Sequence, residues 1–268
     1  MKYQAIVSDL DGTLLNGEHR FSDKTKKVIK EIKDRVKKIF IATGRHHLDA
    51  LELKKQLGLD SYLISSNGAI IHNENNEIVY ERDMEEDVVK KILEKKCSKD
   101  VSRHIYTDNN WYIEEESEEF KSFHQESGFS YTVEDFDKVD YSKVIKIFFI
   151  SKNFKELEAL EKEIENEFGD RISLTLSGEE CLEIMAHSVC KGEAIKSVME
   201  RLEIPLESVI AFGDGLNDYE MLKEVGKGLI MENASVRLKD RLPNNEIIGK
   251  NTEDGVAEYL ERKFLEIE

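Results

Sequence analysis

Proline is nearly missing from this chain, with 2 in 268 residues, beside 3 cysteines and a single tryptophan. So little proline leaves no room for a proline-rich linker, and neither a low-complexity tract nor an internal repeat is visible. Cys97, Cys181 and Cys190 have neither metal-binding nor disulfide spacing, which points to a reduced, cytoplasmic setting. Positive charge is also short. Against 56 acidic side chains stand 39 basic ones, a net charge of −17 that argues against nucleic acid or an anionic membrane surface as partner. No apolar run is long enough to span a membrane, and Met1 leads directly into the first strand, so no signal peptide is expected.

What the chain does have is a proper core and a heavily charged surface, with 40% hydrophobic and 35% charged residues. Its length fits one large domain or two smaller ones. Strand-like and helix-like segments alternate from the start. QAIVS is followed by FSDKTKKVIKEIKDR, in which Ser22 caps a helix with Val28, Ile29 and Ile32 inward. KIFIAT, HLDALELKKQLGL and YLISS continue the βαβαβ order, which implies a parallel sheet with right-handed crossovers.

The pattern then changes. AIIHNENNEIVYE predicts a hairpin around Asn75-Asn76, and RHIYTDNNWYIEE predicts a second one after a helix. Mixed elements run on to about residue 187, and alternation resumes from Gly192 through VIAFGDG, DYEMLKEV, GLIM and a final helix from Val256. The expected organisation is an α/β fold: a Rossmann-like parallel-sheet core from 1–83 and 188–268, with an inserted α+β cap domain at 84–187.

Two aspartates, Asp9 and Asp11, end the apolar run of IVSDLDGTLL, just before Gly12 and Thr13. The bare spacing means little in so acidic a chain, and VEDFDKVD repeats it at Asp135 and Asp137 without the Gly-Thr. Context separates them: the first pair stands at a strand's carboxyl end, where open α/β sheets bind ligands. Three further segments belong to the same edge. FIATGRHH offers the Thr43 hydroxyl and the amides around Gly44 for a phosphate, although a plain Thr-Gly turn reads the same way. SVCKGEAIKSVM puts Lys191 at a helix start. VIAFGDGLNDYEML sets Asp214 and Asp218 four apart with Asn217 between them, and a helix cap would explain Asp218 but not the Gly-flanked Asp214.

Carboxylates gathered this closely raise one another's pKa unless a cation compensates. An all-oxygen site of this kind selects a hard divalent ion, with Mg²⁺ the best match, and a lysine with backbone donors beside it makes a phosphoryl site.

DLDGT, ATGR, the Lys-Gly of CKGEA and GDGLND, in this order, resemble the four motifs of the haloacid-dehalogenase (HAD) superfamily over nearly the whole chain. The large insertion between the second and third resembles the Cof-type phosphatases, and SSNGA with TGRHH is similar to the pyridoxal-phosphate and sugar-phosphate phosphatase branch. The resemblance implies that Asp9 is the nucleophile, forming an aspartyl-phosphate, and that Asp11 is the general acid and then the base. It implies Mg²⁺ held by the Asp9 carboxylate, the Asp11 carbonyl and Asp214, with Asp218 acting through a bound water. Leu10, Thr43, Gly44, Lys191 and Asn217 would hold the phosphoryl oxygens of a small phosphorylated metabolite. Ser188, Val189 and Cys190 stand where the family commonly has Gly-Val-Ser or similar before the lysine. A phosphomutase of this fold, or a non-enzymatic phospho-metabolite binding module, would use much of the same set.

Other residues carry weaker expectations. Asn67-Gly68 lines the pocket or forms an ordinary turn. His46 and His47, at a helix start, are placed to contact substrate but are expected to be solvated, and Trp111 is expected to be core rather than a substrate-stacking residue.

Overall fold

The computed structural model describes residues 3–33, 35, 36, 38–121, 124 and 127–265. Two sheets organise them. The larger has eight strands, β1 (Ala5–Ser8), β2 (Lys38–Ala42), β3 (Leu63–Ser65), β4 (Ile70–His72) and β5 (Ile78–Glu81), joined by β12 (Val209–Gly213), β13 (Lys227–Met231) and β14 (Glu246–Ile248). The smaller sheet holds the six between them: β6 (Ser102–Thr107), β7 (Trp111–Ile113), β8 (Thr132–Val133), β9 (Val144–Ile150), β10 (Ile172–Gly178) and β11 (Cys181–Ala186).

The eight-stranded order is β14-β13-β12-β1-β2-β3-β4-β5, parallel as far as β3 and antiparallel through the β4–β5 hairpin. β1 is central, with Val7 paired to Ala211 on one side and Phe40 on the other. All four residues of β1 are buried, as a strand covered on both faces requires. From β1 the chain builds outward to one side and later returns to build β12–β14 on the other. The junction of β1 and β12 is therefore the switch point, where the strand tips open a crevice.

Local chemistry accounts for the elements. Ser22 accepts a hydrogen bond from the Thr25 amide, starting the helix Asp23–Ile32, which buries Val28, Ile29 and Ile32. The hairpin at Asn75-Asn76 is present, with Asn76 at φ 63° in the turn. Asp135 accepts from the Asp137 amide, so the second Asp-x-Asp is a turn cap. The six-stranded sheet has the order β10-β11-β9-β6-β7-β8 and is antiparallel except between β7 and β8.

His46 and His47 contradict the expectation of solvated side chains. Both are buried. They sit at the start of the helix His47–Gln56, and the turn after β6 covers them. His46 Nε2 donates to the Thr107 carbonyl at 2.9 Å, while its Nδ1 accepts from the Leu48 amide. The His46 ring stacks on Phe129 at 4.4 Å, and the His47 ring stacks on His72 at 5.0 Å. Burial pushes His46 down to about 3 and His72 to about 4, helped by the neighbouring charge of His47.

These neutral rings make folding acid-sensitive. In the unfolded chain each histidine takes up a proton near pH 6.5, whereas in the native state the proton binds only at about 4 for His72 and about 3 for His46. The unfolded state thus binds more protons throughout that window, and stability falls with falling pH by up to about 1.4 kcal/mol per unit for each ring. Urea unfolding of the parent and His72→Phe should show a shallower loss between pH 7 and 5 in the variant. An equally steep loss would mean that His72 titrates normally.

Candidate active site

Four of the expected segments meet at the carboxyl edge of the larger sheet. Asp9 follows β1 directly, with 6% of its surface exposed. Beside it, β12 ends at Gly213 and delivers Asp214, and Asp218 follows in the turn Leu216–Asp218. One oxygen from each of Asp9, Asp214 and Asp218 lies within 4.8 Å of the others. Lys191, the first residue of the helix Lys191–Arg201, is fully buried and bonds both Asp9 Oδ1 and Asp218 Oδ1 at 2.7 Å.

The backbone is shaped around these carboxylates. Gly12 has φ 71°, and a Cβ there would lie 2.2 Å from Asp214 Oδ2. Only glycine serves both demands, which explains Gly12 in the first motif. Thr13 Oγ1 donates to Asp214 Oδ1 at 2.7 Å. Asp218 Oδ2 accepts the amides of Asp214 at 2.9 Å and Gly215 at 3.0 Å, so this carboxylate ties down the loop that carries Asp214.

One lysine does not neutralise three clustered acids, two of them buried and Asp214 half-buried. Burial raises Asp9 well above the carboxylate range; Lys191 pulls it down, and the charges of Asp218 and Asp214 push it further up. Asp214 rises to about 7, from burial first and then from Asp218. Burial opposes the charge on Lys191, yet Asp218 and Asp9 outweigh it and hold the ammonium above its usual range. Such a carboxylate set, short of positive charge and aimed at one point, fits a hard divalent ion.

Thr43 and Gly44 follow β2 on the same edge. Thr43 is buried, and its Oγ1 accepts from the Arg45 amide at 3.1 Å. Asn217 is buried, and its Nδ2 donates to Asn67 Oδ1 at 3.0 Å. Leu10 lies in the turn between Asp9 and Asp11 with its side chain fully buried. Asn67 and Gly68 end β3 in left-handed conformations, φ 56° and 103°, and bring the Asn67 side chain into the network.

Asp11 is placed differently. Its carboxylate turns to Arg45, accepting from Nε and Nη2 at 2.6 Å each, and lies 3.0 Å from His19 Nδ1. Burial alone would raise it, but the Arg45 guanidinium prevails and holds it far below the ordinary range. Asp11 is thus a carboxylate that Arg45 keeps ionised. Arg45 also bonds Asp49 at 2.8 Å. It stands in the ATGR stretch next to Thr43-Gly44, and its bidentate pairing with Asp11 emerges only in the fold.

Above these groups is a cavity of about 280 Å³. Asp9, Asp11, Thr43, Gly44 and Asn217 form its core side, and Tyr106, Trp111, Phe148, Lys146 and Glu183 of the six-stranded sheet form much of the other. Trp111 is both core, at 2% exposure, and cavity wall. Among the described residues no helix is long and apolar enough to cross a membrane.

Comparison with known proteins identifies the family. The family model of the haloacid dehalogenase-like hydrolases matches residues 6–260. A protein of Buchnera aphidicola subsp. Baizongia pistaciae that carries the name of a phosphatase is 39% identical over 265 residues, 98% of this chain and 99% of its own length. The HMP-PP phosphatase of Serratia proteamaculans is 34% identical, covering 97% of this chain and 94% of its own. Among solved structures, a haloacid dehalogenase-like hydrolase of B. subtilis superposes with TM-score 0.84 at 27% identity, covering 98% of this chain and all of its own. The resemblance carried by the four motifs holds, and the chain belongs to the haloacid dehalogenase-like hydrolases as a phosphatase.

Proposed function

We propose that this enzyme hydrolyses small phosphate monoesters, pyridoxal 5′-phosphate or sugar phosphates, through a phosphoryl group carried on Asp9. The observation that carries the reading is Asp9 itself: a buried carboxylate at the tip of the central strand, 2.7 Å from the Lys191 ammonium. An Asp9 oxygen attacks phosphorus as the bond from phosphorus to the ester oxygen breaks, and the alcohol leaves with a proton. Water then attacks phosphorus, the Asp9–phosphorus bond breaks, and inorganic phosphate is released with Asp9 restored.

Asp11 is the proton carrier for both steps. It gives a proton to the leaving alcohol and recovers one from the attacking water. Ionised against Arg45, it is ready for the second step. For the first it must turn from Arg45 and take up a proton, so Arg45 sets the balance between its two roles. Lys191 offsets charge on the transferred group. Thr43, the amides of Gly44 and Leu10, and Asn217 hold the phosphoryl oxygens.

The carboxylate cluster fits Mg²⁺, which the Asp9 carboxylate, the Asp11 carbonyl and Asp214 would hold, with Asp218 reaching it through a bound water. When bound it supplies positive charge that polarises the phosphoryl group. Residues 84–187 serve as the cap domain, shielding the site from water and reading the body of the substrate. A flat ring suits the aromatic wall of Tyr106, Trp111 and Phe148, and the relative that carries the name HMP-PP phosphatase supports a small phosphorylated compound. The working location is the cytoplasm, as the free cysteines favour.

The test is phosphate release across a panel of small monoesters with Mg²⁺ and after chelation; full activity after exhaustive chelation rejects the metal. The metal also makes a pH prediction. Asp214 holds a proton up to about pH 7 without a cation, and the cation must displace it. Mg²⁺ should therefore raise Tm more at pH 8 than at pH 6. An equal rise at both would mean that no carboxylate proton leaves on binding.

A further inference from the structure

The groups assigned above to the phosphoryl moiety lie at the edge of the eight-stranded sheet, in its loops and at the start of the helix Lys191–Arg201, whereas two buried charges opposite them belong to the six-stranded sheet. Lys146 on β9 and Glu183 on β11 are 3% and 5% exposed and form an ion pair at 2.6 Å. A pair buried this far is tolerated only when its remaining hydrogen-bonding capacity is met. Here the core meets it. Lys146 Nζ donates to the Gly44 carbonyl at 2.6 Å. Glu183 Oε2 accepts from Asn67 Nδ2 at 2.7 Å, and Asn67 Oδ1 accepts from Asn217 Nδ2 at 3.0 Å.

One polar chain thus runs from the smaller sheet to both sides of the phosphoryl pocket. Its core link, Asn67, is 1% exposed and held at φ 56°, and its side chain bonds Glu183 through Nδ2 and Asn217 through Oδ1. Space is tight around it. A Cβ on Gly44 would lie 3.2 Å from Asn67 Oδ1 and 3.4 Å from the Glu183 carboxylate. The two ends cannot shift independently, because a fully bonded buried network holds each member to the others' geometry.

We infer that Glu183, seated by Lys146, is a positioning residue for phosphoryl transfer: it acts through Asn67 on Asn217, so that the phosphoryl pocket is fully assembled only with the six-stranded sheet in place. This rests on the phosphoryl-transfer reading above and goes beyond it, since it gives the smaller sheet a part in the chemistry as well as in substrate choice. Asn67 is the coupling link, and the Asn-Gly at the end of β3 is there to aim it.

Acetyl phosphate separates positioning from substrate reading, because its leaving group is too small to engage the smaller sheet. Glu183→Ala and Asn67→Gly should each lower kcat on acetyl phosphate on the order of tenfold, and the double variant should be no slower than the worse single one. Glu183→Gln keeps an oxygen for Asn67 and should recover most of the rate. Asn67→Gly retains the left-handed backbone, so it reports even if Glu183→Ala, which strands Lys146 in the interior, does not fold. A parental rate for Asn67→Gly on acetyl phosphate overturns the inference. So does a Glu183→Ala loss that appears only with larger esters, or losses that multiply in the double variant. If the parent releases no phosphate from acetyl phosphate or any monoester, the phosphatase reading itself has failed.

Discussion

Asp9→Asn is expected to lose on the order of 10⁴-fold or more in kcat, at any Mg²⁺ concentration, as when a covalent nucleophile is removed. An amide nitrogen or oxygen does not attack phosphorus, and saturating the metal does not replace the missing nucleophile. The fold should survive. Asn has the shape of Asp, and its oxygen can still accept from Lys191, 2.7 Å away. Stability without metal should even rise, because the substitution takes one negative charge from a buried cluster whose members raise one another's pKa. Activity assays paired with Tm in EDTA check both halves. Appreciable turnover by Asp9→Asn would move the nucleophile elsewhere, and a large fall in Tm would make the lost activity a folding effect.

Lys191→Met should cost at least about 10²-fold in kcat, the scale seen when a group stabilising transition-state charge is removed. Met keeps the unbranched stem in a fully buried slot and removes the ammonium. The loss has two parts with different readouts. The phosphoryl group loses a charge that Mg²⁺ does not replace, so excess metal should not restore the rate. Asp218 also loses its partner at 2.7 Å while fully buried, which should destabilise the fold by roughly 3–5 kcal/mol. Asp218 anchors the amides of Asp214 and Gly215, so looser Mg²⁺ binding should accompany the change. Near-parental kcat would reduce Lys191 to a loop tie. Chemical denaturation gives the second number independently of activity.

The core sheet and its edge were legible because their signals are local. β1, β2 and β12 are largely apolar runs, each followed by a polar residue with a glycine within three positions, so the sequence pattern alone sets Asp9, Thr43 and Asp214 at one edge. The reason for Gly12 and Gly213 emerges only in the fold, where a Cβ on either would strike a carboxylate of the site, Asp214 or Asp218. Lys191 was legible only by its place at a helix start.

The missed residues depend on partners far along the chain. In a sequence with 35% charged residues, Lys146 and Glu183 read as surface charges, one in each of two strands. They become a buried pair only when β9 and β11 lie side by side. Arg45 was passed over because its meaning lies in reaching Asp11. His46 and His47 were misread because a helix start is ordinarily open to water, and here the turn at Thr107 and Asp108 closes over it. No local pattern carries that information.

The central claim is that Asp9 carries the phosphoryl group. Asp11→Asn is the variant that makes it visible, because without a carboxylate to take the proton from water the second step should be the slower one. Rapid acid quench after mixing this variant with Mg²⁺ and p-nitrophenyl phosphate, whose leaving group needs little proton help, should trap one phosphoryl group per chain. It should be labile to hydroxylamine and map to the peptide containing Asp9. Phosphate release with no covalent phosphoryl group at any time point, or a label on another residue, would contradict the account.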